Sequence, residues 1–157
     1  MRMVVMSDSH GVYNRVSDIV KKHHEADLIV HLGDGEEEFL QVASLYPAGH
    51  FIGVRGNNDF YAQSKKVERI RFGGVPILMT HGHIFGVKFS LNGLLEEALK
   101  QNVRVALYGH THEAKQTYRE GIYLLNPGSV ADSRLTPTGY MLLDVTDQGI
   151  VPVFCTI

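Results

Sequence analysis

Met3-Val4-Val5-Met6-Ser7-Asp8-Ser9-His10-Gly11 is a short apolar run that stops in a polar, glycine-ended loop. Such a run reads as a buried strand. Val12, Val16, Ile19 and Val20 follow at helical spacing, so the loop leads into an amphipathic helix. The pattern then recurs. Leu28 to Leu32 is apolar and stops at Gly33-Asp34-Gly35. Glu36, Glu37 and Glu38 come next, in the first turn of a second helix, where negative charge complements the macrodipole. They read most simply as a solvated helix start. Phe51 to Val54 is apolar and stops at Arg55-Gly56-Asn57-Asn58-Asp59. This alternation predicts parallel strands joined by crossover helices. In such sheets ligands collect beyond the carboxyl ends of the strands, where all three polar loops fall.

The second half has a different texture. Val67 to Phe72 and Val75 to Thr80 flank Gly73-Gly74, a two-residue hairpin signal. Leu91, Leu94, Leu95, Ala98 and Leu99 make a further amphipathic helix, with Ser90 as its expected N-cap. Val103 to Tyr108 is a strand that stops at Gly109-His110-Thr111-His112. Short strands around Gly121 precede Asn126-Pro127-Gly128-Ser129, and a last hairpin turns at Asp147-Gln148-Gly149. This half reads as mainly antiparallel. The whole is therefore an α/β fold with two sheets packed together and helices outside.

A chain of 157 residues suits one domain, 1–157, with a real core. Its formal net charge is −2 and it has no basic run, which argues against long nucleic acid as a partner. No apolar stretch is long enough to span a bilayer, and the first residues meet Ser7 and Asp8 too early for a signal-peptide core. Cys155 is the only cysteine, which fits a reducing, cytoplasmic setting. What departs from the average is histidine, with nine in the chain.

Each end-of-strand loop holds residues with metal affinity: Asp8 and His10, Asp34, Asn57, His81, then His110 and His112. In extended backbone, residues two apart point the same way, so the Asp8/His10 and His110/His112 pairs can each aim two ligands at one point. A carboxylate such as Asp34 has two oxygens and can bridge two cations. Nitrogen and oxygen donors without thiolate suit Mn, Fe, Ni, Co or Zn. Taken singly, each piece has an ordinary use. Gly-Asp after a strand is commonly a turn or cap, Gly-Asn-Asn-Asp a turn, and His81 a half-buried histidine. His110 and His112, alternating in a polar loop, have no packing use.

The ordered series D-x-H, G-D, G-N-x-D, H-G-H and G-H-x-H, each block after an apolar run, resembles the calcineurin-like metallophosphoesterases. It is closest to their small bacterial and archaeal YfcE-type phosphodiesterases. The resemblance runs from Met3 to about Ser129 and includes Asn126-Pro127-Gly128-Ser129. It implies a four-layer α/β/β/α sandwich of two mixed sheets, with a metal site at the strand ends. Asp8, His10 and His112 would bind one divalent metal ion, Asn57, His81 and His110 a second, and Asp34 would bridge them. Manganese is the expected ion, with Ni, Co, Fe and Zn as alternatives. A hydroxide bridging two such cations, about 3.5–4 Å apart, would be the nucleophile.

Many phosphatases of this superfamily have histidine after the Asn of the G-N motif, and it is thought to protonate the leaving oxygen. Here that position is Asn58, and an amide is no acid near neutral pH. The phosphodiesterase branch also lacks histidine there, so a small phosphodiester is the expected substrate. Asn58 and Asp59 are the side chains beside the chemistry, Asp59 as a holder of the loop or an orienting group. Arg55 is placed to meet phosphate, and His83 supports a ligand or touches substrate. His31 is expected in the strand or behind the ligands. Two other readings stand beside this one. A phosphomonoesterase would use the same site. A non-catalytic interaction scaffold, like one eukaryotic retromer subunit of this fold, predicts lost ligands. The resemblance also suggests dimers or tetramers.

Overall fold

Met3 and Val5 face one way along β1 (Arg2–Met6) while Val4 and Met6 face the other, and all four are buried. A strand buried on both faces lies between two apolar layers. β1 pairs in parallel with β2 (Leu28–His31), which pairs in parallel with β3 (Phe51–Gly53). The connections are α1 (Tyr13–Lys22) and α2 (Glu36–Ala43). The computed structural model describes residues 1–133 and 135–157.

Met3 and Val5 meet Ile77, Met79, Val105, Leu107 and Leu125 of a second sheet in a central core. Val4 and Met6 meet Val16, Ile19 and Val20 of α1 and Phe39 and Val42 of α2. The second sheet holds β4 (Val67–Phe72), β5 (Val75–Thr80), β6 (Val105–Leu107), β7 (Ala114–Arg119) and β8 (Ile122–Pro127). Its outer face is covered by Leu94, Leu95 and Ala98 of α3 (Asn92–Lys100). The layers are thus two helices, a sheet, a second sheet and one helix.

Among the described residues both sheets have five strands and both are mixed, in the orders β10-β9-β1-β2-β3, with β9 Gly139–Thr146 and β10 Gly149–Thr156, and β4-β5-β6-β8-β7. The Gly73-Gly74 hairpin forms as expected, pairing Phe72 with Val75. The second half is less antiparallel than its sequence suggests, because β5 pairs in parallel with β6 and β6 in parallel with β8. The last hairpin, β9 and β10, returns to the first sheet, where Leu142 lies opposite Val4. Ser90 is not the N-cap of α3. Leu91 holds that position, and the Ser90 hydroxyl accepts the Asn92 N–H one residue early.

Glu36 and Glu38 also correct the sequence reading. Both are buried, Glu36 accepting the Ser64 N–H and Glu38 the Ser9 hydroxyl and the Gly11 N–H. A helix start that looks solvated in sequence is here a pair of acceptors for the loops beside it.

Candidate metal centre

Five parallel-running strands end at the same edge of the sandwich, and each leads into a ligand loop. β1 leads to Asp8 and His10, β2 to Asp34, β3 to Asn57, β5 to His81, and β6 to His110 and His112. Backbone hydrogen bonds lace these loops together. The Asp8 and His10 N–H groups donate to the Gly33 and Asp34 carbonyls, and Gly109 N–H to His81. Seven non-glycine residues among those described have positive φ, and five of them are Asp8, His10, Asp34, His110 and His112. Left-handed backbone is unfavourable for such residues and persists where the surroundings enforce it, often at functional sites.

All seven expected ligands come together, in two adjoining groups. Asp8, His10 and His112 form one; Asp34, His81 and His110 form the other, with Asn57 Oδ1 3.1 Å from His81 Nε2. His10 Nε2 and His112 Nε2 are 3.2 Å apart, and Asp8 Oδ1 lies 3.1 Å from His112 Nε2. His81 Nε2 lies 3.1 Å from His110 Nδ1 and 3.3 Å from Asp34 Oδ2. The two groups touch through Asp8 Oδ1, 3.9 Å from His81 Nε2. His81 Nδ1–H donates to the Leu32 carbonyl at 2.8 Å, which leaves the neutral ring with a bare Nε2 turned inward. Lone pairs crowded this closely repel one another unless protons or cations stand among them.

Asp8 makes the same point. Its Oδ2 accepts the Ser7 hydroxyl and the His110 N–H, while the buried Oδ1 has no hydrogen-bond partner. A buried carboxylate oxygen without a partner is costly unless something charged satisfies it. Close packing depends on glycine as well. A side chain at Gly56 would strike the Asp34 carboxylate, and one at Gly109 the Ser7 hydroxyl. The residues fit a pair of divalent cations.

Without cations, protons take part of their place. Burial pushes the Asp8 carboxyl up, but the rings of His112 and His81 and the Ser7 hydroxyl outweigh it, so its pKa is lowered. Burial likewise pushes His81 down, while Asp34, Asp8 and the Leu32 carbonyl raise it further. His112 is raised by Asp8 and Asp132 against burial. His110 is pushed down to about 4 by burial, His81 and Lys88, and so is a neutral donor.

Several positioning groups have no signature in the sequence. Asp132 Oδ1 lies 3.0 Å from His112 Nδ1 and turns the ring so that Nε2 faces Asp8. Such partners of a ligating histidine affect metal affinity by about 10–100-fold. Asp132 is well exposed, so Asp132→Ala is expected to weaken metal binding about tenfold in a titration monitored by calorimetry. An unchanged affinity would remove Asp132 from the site. Asn126 holds the last ligand loop, donating to the Gly109 carbonyl and Thr111 hydroxyl, and Ser129 donates to the Asp8 carbonyl.

His31 lies behind the ligands. Its Nδ1 accepts the Gly33 N–H, its Nε2–H donates to Ser9, and the Ser9 hydroxyl donates to Glu38. Burial holds its pKa below the ordinary value, although Glu38, Asp8 and Asp59 push the other way. The unfolded chain therefore binds the extra proton below about pH 6.5, and stability from this group is lost as pH falls through that region. His31→Gln, which keeps a donor and an acceptor but does not titrate, should flatten the decline in denaturation midpoint between about pH 7 and pH 5. A slope identical to the wild type would overturn this assignment.

Asn58 and Asp59 both bond back to the loops of the site. The Asn58 N–H and Nδ2 donate to the two oxygens of Asp34, each at 2.7 Å. Asp59 accepts four backbone N–H groups, from Asp34, Gly35, Glu36 and Gly56. His83 begins a single 3-10 turn (His83–Phe85) and stands beside the second group, its ring 5.4 Å from that of His81. Two clefts open from the centre. One, of about 510 Å³, is lined by Lys88, His110, His112 and Asp132. The other, of about 550 Å³, is lined by His10, Asp34, Asn58, Phe60 and Tyr61. Arg55 lines neither cleft.

Residues 1–148 match the calcineurin-like phosphoesterase superfamily domain. The chain belongs to this superfamily. Among calcineurin-like relatives, a probable metallophosphoesterase of Bacillus subtilis, YsnB, is 35% identical over 94% of this chain and 86% of its own length. The phosphodiesterase YfcE of Escherichia coli is 31% identical over 64% of this chain and 60% of its own length. A conserved Streptococcus pneumoniae protein described as a predicted phosphoesterase superposes with a TM-score of 0.82 at 32% identity, over 93% of this chain and 83% of that one. The calcineurin-like fold is thus shared along nearly the whole chain.

Proposed function

We propose that this chain, a single domain over 1–157, is a cytoplasmic phosphodiesterase that holds two divalent cations, manganese or a similar ion, and hydrolyses small phosphodiesters. The observation that carries the reading is the pair of adjoining donor groups that crowd lone pairs together and leave buried Asp8 Oδ1 without a partner. A scaffold has no need of that crowding. Bound there, two cations would neutralise charge on phosphoryl oxygens and acidify a water. Asp8, His10 and His112 would hold one and Asn57, His81 and His110 the other, with Asp34 between them.

The chain's own part is positioning. Leu32 and Asp132 set the rings of His81 and His112, and Asn58 sets Asp34. That use of Asn58 supports a diester substrate, since the amide gives the leaving oxygen no proton. A general acid is worth about 10²–10⁴-fold, so alkyl diesters should react about a hundredfold or more slower than aryl diesters. Equal rates would show that an acid is present.

The deciding experiment strips the protein of metal and restores Mn, Ni, Co, Zn and Mg singly. Hydrolysis of bis-p-nitrophenyl phosphate and p-nitrophenyl phosphate is then followed. Activity with Mn or a similar ion, higher on the diester, is expected. No activity with any ion, on protein still folded by circular dichroism, would sink the proposal.

A further inference from the structure

The cleft on the Asn58 side carries a feature that ion binding does not use. Phe60 and Tyr61, the two residues after Asn58-Asp59, are 75% and 95% exposed, and both line it. Leu40 of α2, 53% exposed, lines it too. An exposed aromatic alone means little, and Phe89 is 97% exposed while lining neither cleft. Here three large apolar side chains share a concave surface with His10 and Asp34 of the metal centre. At about 550 Å³ the cleft is of the size that takes small molecules.

The aromatic segment is held in place. Phe60 N–H donates to the Asn58 carbonyl and Ala62 N–H to the Asp59 carbonyl, in a turn whose Asp59 carboxylate is tied to four backbone N–H groups. Rings on a fixed turn beside a reaction centre lose little freedom when something flat is laid on them. Charge narrows the occupant further. Among the described residues no Lys or Arg lines the cleft, whereas Glu37 and the buried Glu36 and Glu38 do. A second phosphate would be repelled there; an uncharged planar group would not.

Resting on the phosphodiesterase reading above, we propose that Phe60 and Tyr61 are specificity residues that seat an uncharged aromatic arm of the diester, nucleobase-sized, next to the phosphate. The metal centre takes the phosphate, and the arm lies along the cleft. Stacking of a base on an aromatic side chain discriminates by roughly 5–150-fold.

The test compares p-nitrophenyl thymidine 5′-phosphate with ethyl p-nitrophenyl phosphate in the Mn-loaded protein. Both release the same phenolate from a singly charged diester, so only the second arm differs. The wild type should favour the thymidine ester at least about fivefold in kcat/KM, chiefly through KM. In the Phe60→Ala/Tyr61→Ala double variant the ratio should fall towards one. Both side chains are largely exposed, so the variant is expected to fold. A wild type without preference, or a ratio the double variant leaves unchanged, overturns the proposal. A second readout needs no turnover: thymidine titrated into the Zn-loaded protein should shift the Phe60 and Tyr61 ring resonances. If neither ester is hydrolysed, the phosphodiesterase reading falls, and the titration alone decides the seat. Unmoved rings at millimolar thymidine would then refute it.

Discussion

Asp8→Asn is expected to lower phosphodiester hydrolysis by about 10³-fold or more while leaving the protein folded. The substitution keeps shape and removes charge at the one buried carboxylate oxygen without a hydrogen bond among the described residues. In the native chain, Oδ2 is filled by the Ser7 hydroxyl and the His110 N–H, and an asparagine oxygen can accept both. The amide nitrogen then takes the place of Oδ1, facing His112 Nε2 at about the present 3.1 Å. Nothing in the packing opposes this, so cooperative unfolding should persist. Cation binding should not, because an amide nitrogen offers a metal no lone pair and adds no negative charge. Metal-ion catalysis supplies several kcal/mol of charge stabilisation, and about 4 kcal/mol corresponds to three powers of ten in rate.

The same variant separates metal loss from any other cause of inactivity. A ligand at a hundred times its Kd stabilises the state that binds it by about 2.7 kcal/mol. For a chain of this length that is roughly 5–10 °C in Tm. Saturating Mn should therefore raise the wild-type Tm by about that amount and leave the Asp8→Asn Tm where it was. A variant that still gains Tm with Mn, or keeps activity within tenfold, would show that Asp8 is not a ligand. Activity lost with the Tm gain intact would place Asp8 in the chemistry and not in binding.

The candidate ligands were readable because each stands in a polar loop that follows an apolar run. A strand buried on both faces is mostly apolar, so Asp8, Asp34 and His81, buried themselves, mark where the apolar runs stop. Parallel strands then carry those stops to one edge. The Gly73-Gly74 hairpin was readable for a similar reason, since turn and strand pattern are both local. Strand partners were not. Nothing near Val105 says that β8 will lie parallel beside it, or that Leu142 will return to Val4, because pairing over such distances is settled by which faces remain unburied.

The groups that aim the ligands were hidden in the same way. Asp132 finds His112 only through the fold, and in sequence it is one acid in a polar stretch. Glu38 belongs to a triplet whose helix-start reading is sound for Glu37, which is exposed. Only the packing of α2 against the first loop turns Glu38 inward, to Ser9 and Gly11. Local pattern thus locates the chemistry. The geometry that tunes it comes from long-range packing.

Asp59 is where these two levels meet, and even its amide counterpart is expected to fail there. Oδ1 accepts the Gly35 and Glu36 N–H groups, and Oδ2 those of Asp34 and Gly56. Four donors converge on two oxygens, so either orientation of an asparagine turns an NH₂ towards two N–H groups. Leaving buried donors unsatisfied costs about 1–3 kcal/mol each, and Asp59 is only half-buried, so about 2 kcal/mol in all is a fair expectation for Asp59→Asn. That is roughly 4–8 °C in Tm for this chain length. The same loosening frees the Asp34 loop from the Gly56-Asn57 loop, so the proposed bridge Asp34 and the proposed ligand Asn57 lose their register. A fall in kcat of about 10–100-fold, with Mn affinity weakened in step, should accompany it. A rate loss with unchanged Tm and unchanged Mn affinity would instead make Asp59 a group that touches the reacting atoms, and the positioning role would be withdrawn.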